Sequence, residues 1–227
     1  TRASSATFTN RRAKKNGGYE YFLDTDYVGN VTNLLTYSED LTDTDWIKSS
    51  ASTLSNQTEN PIDGFKNADK LVENTATTEH KIQQDPVFLT STTYNLSFYA
   101  KKAERDIVRI NIFNGSVSSP THFHLNSGTI TLSGTATAAI TSVGNGWYRC
   151  SLTATMASTG SPNIRIYIVK QDGNVTYTGD GVSGLYIWGA QLTASAKPLP
   201  YVKTLDVAVT KTFAETLRTE YDAVTGK

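Results

Sequence analysis

Tyr177-Thr-Gly-Asp-Gly-Val-Ser-Gly-Leu-Tyr-Ile-Trp-Gly-Ala-Gln-Leu192 joins a glycine-rich polar turn to the most aromatic apolar run in the chain. Gly179, Gly181 and Gly184 match the spacing of a dinucleotide-binding fingerprint. That fingerprint works only where a strand runs into a helix whose N-terminus receives the pyrophosphate. Here Leu185 to Leu192 alternates, carries Tyr186, Ile187 and Trp188, and is cut by Gly189, which is the pattern of a strand. The glycines are therefore read as turn residues supplying positive φ, and the segment as the closing strand of a β-sandwich.

The same period extends upstream. Ile164, Ile166 and Ile168 share one face, with Arg165 and Tyr167 opposite. Tyr148, Cys150, Leu152 and Ala154 face inward, with Trp147, Arg149 and Ser151 outward. Val108, Ile110 and Ile112 alternate with Arg109, Asn111 and Phe113, and Tyr94, Leu96, Phe98 and Ala100 with Asn95, Ser97, Tyr99 and Lys101. Phe123 and Leu125 point inward, and Ile130 and Leu132 continue the scheme. Asn33 to Ser38, Ala68 to Val72 and His80 to Gln84 read as shorter strands. Asn114-Gly115, Ser127-Gly128 and Gly144-Asn145-Gly146 supply the turns. The spacing predicts an all-β, jelly-roll-like β-sandwich of about eight to ten strands.

The 227 residues suit one core with extensions, on a size prior of roughly 150 residues per domain. Residues 1–32 form an N-terminal arm or linker whose start carries Arg2, Arg11, Arg12, Lys14 and Lys15 without an acid. Residues 33–204 form the sandwich and residues 205–227 a C-terminal tail. In that tail Thr212 to Glu215 fits a capping box, and Phe213, Leu217, Tyr221 and Val224 follow at the spacing of a short helix. The 21 basic and 21 acidic residues cancel, so no global field points to nucleic acid or to a membrane surface. No apolar run approaches the roughly 20 residues of a membrane helix.

Enzymatic chemistry finds little support in the residues. There is no Gly-x-Ser-x-Gly elbow, and the single cysteine, Cys150, lies on the core face, where a thiol is an inert small hydrophobe. Asp24, Asp26 and Gly29 suggest a calcium loop, yet Val28 and Leu35 occupy positions that an EF-hand gives to ligands. No carboxylate pair stands apart as a glycosidase would need. The chain is expected to be no enzyme and to need no cofactor. His122 and His124 are the best metal candidates, because residues two apart on a strand share a face and a threefold axis would multiply them; without that axis they are a polar strand face. Tyr99, Arg109, Phe113, Trp147, Arg149 and Tyr167 fall on non-core faces. Rings that stack on sugar C–H faces and guanidinium groups that hold hydroxyls or carboxylates make these six either a glycan platform or a subunit interface.

Several motifs carry a resemblance: Asn33-Leu-Leu-Thr-Tyr-Ser-Glu-Asp with Trp46, Tyr94-Asn-Leu-Ser-Phe-Tyr-Ala-Lys, Gly144-Asn-Gly-Trp-Tyr-Arg-Cys, and Gly179-Asp-Gly with Ile187-Trp-Gly-Ala-Gln-Leu. In this order they resemble the domain of bacteriophage tail-fibre and head-fibre proteins, over roughly residues 33 to 204, with Thr1-Arg-Ala-Ser-Ser-Ala-Thr-Phe similar to its lead-in. More distantly the domain is similar to jelly-roll carbohydrate-binding modules. The resemblance implies a structural virion protein, assembled in the host cytoplasm, that displays a lectin-like sandwich; it does not itself imply sugar binding, and host-glycan attachment is the expectation that the outward rings and guanidinium groups add. The alternative is the carbohydrate-binding module of a polysaccharide-degrading enzyme. Implied partners are other virion subunits, a homo-oligomer with a trimer favoured, and a host surface polysaccharide, with no nucleic acid and no membrane insertion.

Overall fold

The computed structural model describes residues 27–113, 120–132, 136–157, 162–170 and 174–214, in which all regular secondary structure is β. In chain order the strands are β1 (Gly29–Asn33), β2 (Ile47–Ser49), β3 (Ala51–Thr58), β4 (Ala68–Glu73), β5 (Thr77–Gln84), β6 (Thr93–Lys102), β7 (Ile107–Phe113) and β8 (Thr121–His124). They continue with β9 (Thr129–Leu132), β10 (Thr137–Gly144), β11 (Trp147–Thr155), β12 (Asn163–Val169), β13 (Thr176–Thr178), β14 (Gly184–Thr193) and β15 (Val209–Phe213). A front sheet has the order β10-β11-β6-β14-β4-β3. A back sheet runs β13-β5-β12-β7-β8-β9, with β2 pairing β5, and β1 and β15 make a separate ribbon. The pairings between strands are antiparallel.

The core lies between the sheets, where alternation expects it. Leu96, Phe98, Cys150, Leu152, Leu185 and Ile187 of the front sheet meet Ile82, Val108, Ile110, Ile112, Phe123, Ile164, Ile166 and Ile168 of the back sheet, all buried. Burial pushes the Cys150 thiol far above its usual range, so it stays a protonated packing group. The stretch read as the closing strand is β14, central in the front sheet between β6 and β4. A register shift between Trp188 and Gln191 contains Gly189 at φ 63°, which returns Ala190 and Leu192 to the core.

Several expectations change. There are fifteen strands among the described residues, not eight to ten, because short or polar strands such as β2, β13 and β3 carry little apolar pattern. Asn33 to Ser38 is not a strand: β1 ends at Asn33, and the chain turns through Tyr37 at φ 44°. The side chain of Asn33 causes this break, accepting from the amides of Leu35 (3.2 Å) and Leu192 (3.1 Å) and donating to the carbonyls of Ala190 (3.0 Å) and Val202 (2.9 Å). The capping box at Thr212 is overturned, since Thr212 and Phe213 lie in β15, paired with Asn30 and Gly29. The rest of the expected helix, like the basic arm and the Asn114-Gly115 turn, lies outside the described residues. Of the three turn glycines, only Gly181 has positive φ (81°).

Asp69 is a buried carboxyl in β4, 2% exposed, whose oxygens accept from the amides of Leu41 (2.8 Å) and Asn56 (3.0 Å). Burial pushes it up to about 6, more than the two amide bonds pull it down. A folded-state value above the unfolded 3.8 means that this group's stabilisation is complete below about 3.8 and is lost as pH rises towards 6. The loss is on the order of 3 kcal/mol. Melting temperatures from pH 4 to 7 should therefore fall in the parent and stay flatter in Asp69→Asn, and parallel curves would contradict the assignment.

Candidate functional site

On the outer face of the front sheet, the pairing aligns Thr141, Arg149, Tyr99 and Trp188 across β10, β11, β6 and β14. Two of the expected platform residues, Arg149 and Tyr99, are thus direct neighbours, and Trp147 lies two residues before Arg149 in β11, but the chain itself covers them. Tyr99 is 5% exposed and Trp147 2%, in a cluster with Ala68 and Trp188 against which Ile62 and Tyr201 pack. The Trp147 indole donates to the carbonyl of Glu59 (3.1 Å). Arg149 donates to Ser97 Oγ (3.2 Å) and to the carbonyl of Leu199, with its guanidinium 5.8 Å from the Tyr99 ring. Alternation assigned these side chains to the correct face, yet they are not exposed there: the loops around residues 59–67 and 194–205 fold over them. Trp147, Tyr99 and Arg149 are therefore packing residues of one subunit rather than a surface for sugar.

Between those loops and β15 lies a cleft of about 620 Å³ lined by Glu39, Ile62, Asp63, Trp188, Tyr201 and Lys203, among others. Its aromatic floor is Trp188 against Tyr201, ring centroids 4.8 Å apart, and the buried Trp188 Nε1 has no hydrogen-bond partner. Glu39 holds one wall, accepting from Tyr201 Oη (3.2 Å), Lys203 Nζ (2.7 Å) and Asn67 Nδ2 (3.4 Å). Burial and the Glu39 charge raise the Tyr201 phenol far above its usual range, so it stays protonated. Exposed Thr210 and Lys211 of β15 form the opposite rim. Rings, aliphatic carbons, hydroxyls and charges of both signs in one concave site suit a ligand with an apolar face and a hydroxylated rim. Trp188 was legible, since it alternates with core Ile187; Glu39 and Tyr201, which lie 162 positions apart, carried no signal.

The other candidates lie on the outer face of the back sheet, on the far side of the sandwich. Lys81, Tyr167, Arg109, His122 and Thr131 align across β5, β12, β7, β8 and β9. Tyr167 is 1% exposed, flanked by Arg109 (4.8 Å from its ring) and Lys81 (5.3 Å). Phe113 lies under the Arg165 guanidinium at 5.6 Å. The six residues therefore do not converge, but divide into two sets of three on opposite faces. His124 Nε2 is 3.1 Å from Thr131 Oγ1, and His122 stands opposite Arg109, whose positive charge opposes a metal cation there. Among the described residues no group of three or more His, Cys, Asp or Glu side chains is placed to hold a metal.

No family model and no curated protein matches the sequence. Solved structures are similar in architecture. The enzymatically active domain of tailspike protein 4 from bacteriophage CBA120 is 14% identical, with a TM-score of 0.43 over 70% of this chain and 21% of that one. The CBM22-1 xylan-binding domain of Paenibacillus barcinonensis Xyn10C is 11% identical, with a TM-score of 0.43 over 75% of this chain and 98% of that one. CBM35 from the same organism is 17% identical, with a TM-score of 0.35 over 68% of this chain and 96% of that one. The chain's own sheets and core make it an all-β sandwich of antiparallel sheets, and its similarity to carbohydrate-binding modules and to a phage tailspike domain is distant.

Proposed function

We propose that this chain is a non-enzymatic bacteriophage virion protein that recognises a host-surface glycan in the cleft between Tyr201, Lys203 and β15. The observation that carries the glycan reading is the cleft itself: an aromatic floor of Trp188 and Tyr201 beside a carboxylate and a lysine. A pyranose C–H face meets Ile62 and Tyr201 there, and its hydroxyls meet the Glu39 carboxylate and the Lys203 ammonium. The virion setting rests on the ordered motifs between Asn33 and Leu192. It is supported by the pairing of Gly29 with Phe213, which brings the start of β1 and the end of β15 together at one place on the sandwich. Attached there to neighbouring subunits, several copies would present their clefts together, and avidity would carry attachment.

The test is a screen of bacterial surface polysaccharides with the parent, Lys203→Ala and Thr210→Trp. Lys203 and Thr210 are both exposed, so neither change disturbs the core. Removing the Lys203 anchor should weaken binding about tenfold, and filling the cleft with an indole should abolish it, with melting temperatures unchanged. Unaltered binding by both variants would leave an architectural role instead.

A further inference from the structure

We propose that the outer face of the back sheet is a second binding surface, for a carboxylate-bearing polysaccharide of the uronic-acid type, held by Arg109 and Arg165 with His122 reading the neighbouring hydroxyl. Arg165 and Arg109 lie on adjacent strands, Arg165 two residues before Tyr167, the residue opposite Arg109. Such diagonal neighbours are about 7–8 Å apart, a separation that one extended polymer can bridge.

Among the described residues neither guanidinium has a carboxylate within ion-pairing distance, whereas Lys81 beside them is paired with Glu79 at 2.7 Å. Arg109 and Arg165 rest instead on the rings of Tyr167 and Phe113, with Arg165 Nε donating to Gln83 Oε1 (3.2 Å). Two side chains opposite one another, Arg109 and His122, also retain buried nitrogens without partners, Nε of the first and Nε2 of the second. Two guanidinium charges on one sheet face without a counter-ion among the described residues make a ligand that supplies a carboxylate the economical explanation.

The chemistry of the pair narrows the ligand. A guanidinium is matched by a planar carboxylate. Burial, with Arg109 and His124 adding to it, holds His122 below the usual imidazole range, so its ring is neutral and offers one donor and one acceptor. That is complementary to a hydroxyl, and a carboxylate beside a hydroxyl is the signature of a sugar acid. An acidic protein is a poorer fit, since interfaces are anchored by exposed aromatic or aliphatic groups. Here Ile107, Tyr167 and Val169 are buried, and the exposed Ile47 belongs to the edge strand β2, separated from Arg109 by β5 and β12.

The experiment is titration of the full chain with polygalacturonate, poly-L-glutamate, an oligothymidylate and dextran at low and at physiological salt. Polygalacturonate should bind most tightly and weaken as salt rises, and dextran should be ignored at this face. Arg109→Lys and Arg165→Lys, which keep the charge and the aliphatic stem but lose the planar fork, should each weaken polygalacturonate binding about tenfold without moving the melting temperature. Thr210→Trp, which fills the cleft of the proposed glycan site, should leave it unchanged. Equal binding of poly-L-glutamate or oligothymidylate would reduce the face to a nonspecific cationic patch and overturn the proposal. Loss of polygalacturonate binding in Thr210→Trp, or its retention in both lysine variants, would place the acid elsewhere and overturn it too.

Discussion

Gly184→Ala is expected to destabilise the protein by more than about 4 kcal/mol, an effect well above that of an ordinary substitution. Gly184 opens β14 opposite Val72 of β4, and a Cβ there would stand 1.9 Å from the carbonyl oxygen of Leu71 and 2.9 Å from its carbon. Those atoms are backbone in a paired strand, so relief requires separating β4 from β14 in the middle of the front sheet. Gly64→Ala is the control. Gly64 has φ 77° with nothing within 4 Å of its Cβ position, so only conformational strain of about 1 kcal/mol should appear. Chemical denaturation measures both. Equal losses in the two variants would mean that β14 can move away from β4 and that the close approach of Leu71 does not require a glycine.

That contrast marks how far the sequence is legible. Periodicity identified β6, β7, β11, β12 and β14 and the core they enclose, because a strand buried on one face must alternate. Gly184 was recognised as a turn glycine but for a different physical reason, because close approach of a second strand is a tertiary fact. The reading of Phe213 as a helix residue failed in the same way: apolar residues at helical spacing are a local preference, and Gly29 of β1, 184 positions upstream, supplied a strand partner that outweighed it. Most consequential was Trp147. Alternation tells which face a side chain takes, not what covers that face, and Ile62 and Tyr201, which pack against its cluster, come from distant loops. The candidate cleft was legible only at Trp188, whose parity follows from Leu185 and Ile187. Its polar wall depends on Glu39 meeting Lys203, and nothing local to either residue encodes that meeting.

Glu73→Gln is expected to destabilise the protein by about 3–5 kcal/mol, the usual consequence of breaking one side of a buried ion pair. Glu73 ends β4 with its carboxylate fully buried, and it accepts from Arg105 Nε (2.9 Å), Arg105 Nη2, Tyr177 Oη (2.7 Å) and the amide of Asp180 (3.0 Å). Donors face both oxygens, so whichever way the glutamine amide turns, its NH₂ meets an N–H. The same contacts explain why the Glu73 carboxyl lies below its ordinary range: burial raises it, but Arg105, Tyr177 and the Asp180 amide together lower it further. A lowered folded-state value gives stability that is complete above the unfolded 4.5 and is lost as pH falls through the folded value, opposite in sign to Asp69. Glu73→Gln should therefore flatten the acid limb of the stability curve while keeping the decline between pH 4 and 6 that belongs to Asp69. A double-mutant cycle with Arg105→Met completes the measurement: because each single change strands the other partner, the pair should be less destabilised than the sum of the two. Strict additivity, or an acid limb identical to the parent's, would show that the Tyr177–Gly184 turn is held by its own Asp180 bonds to Val182 and Ser183 rather than by the strand end at Glu73.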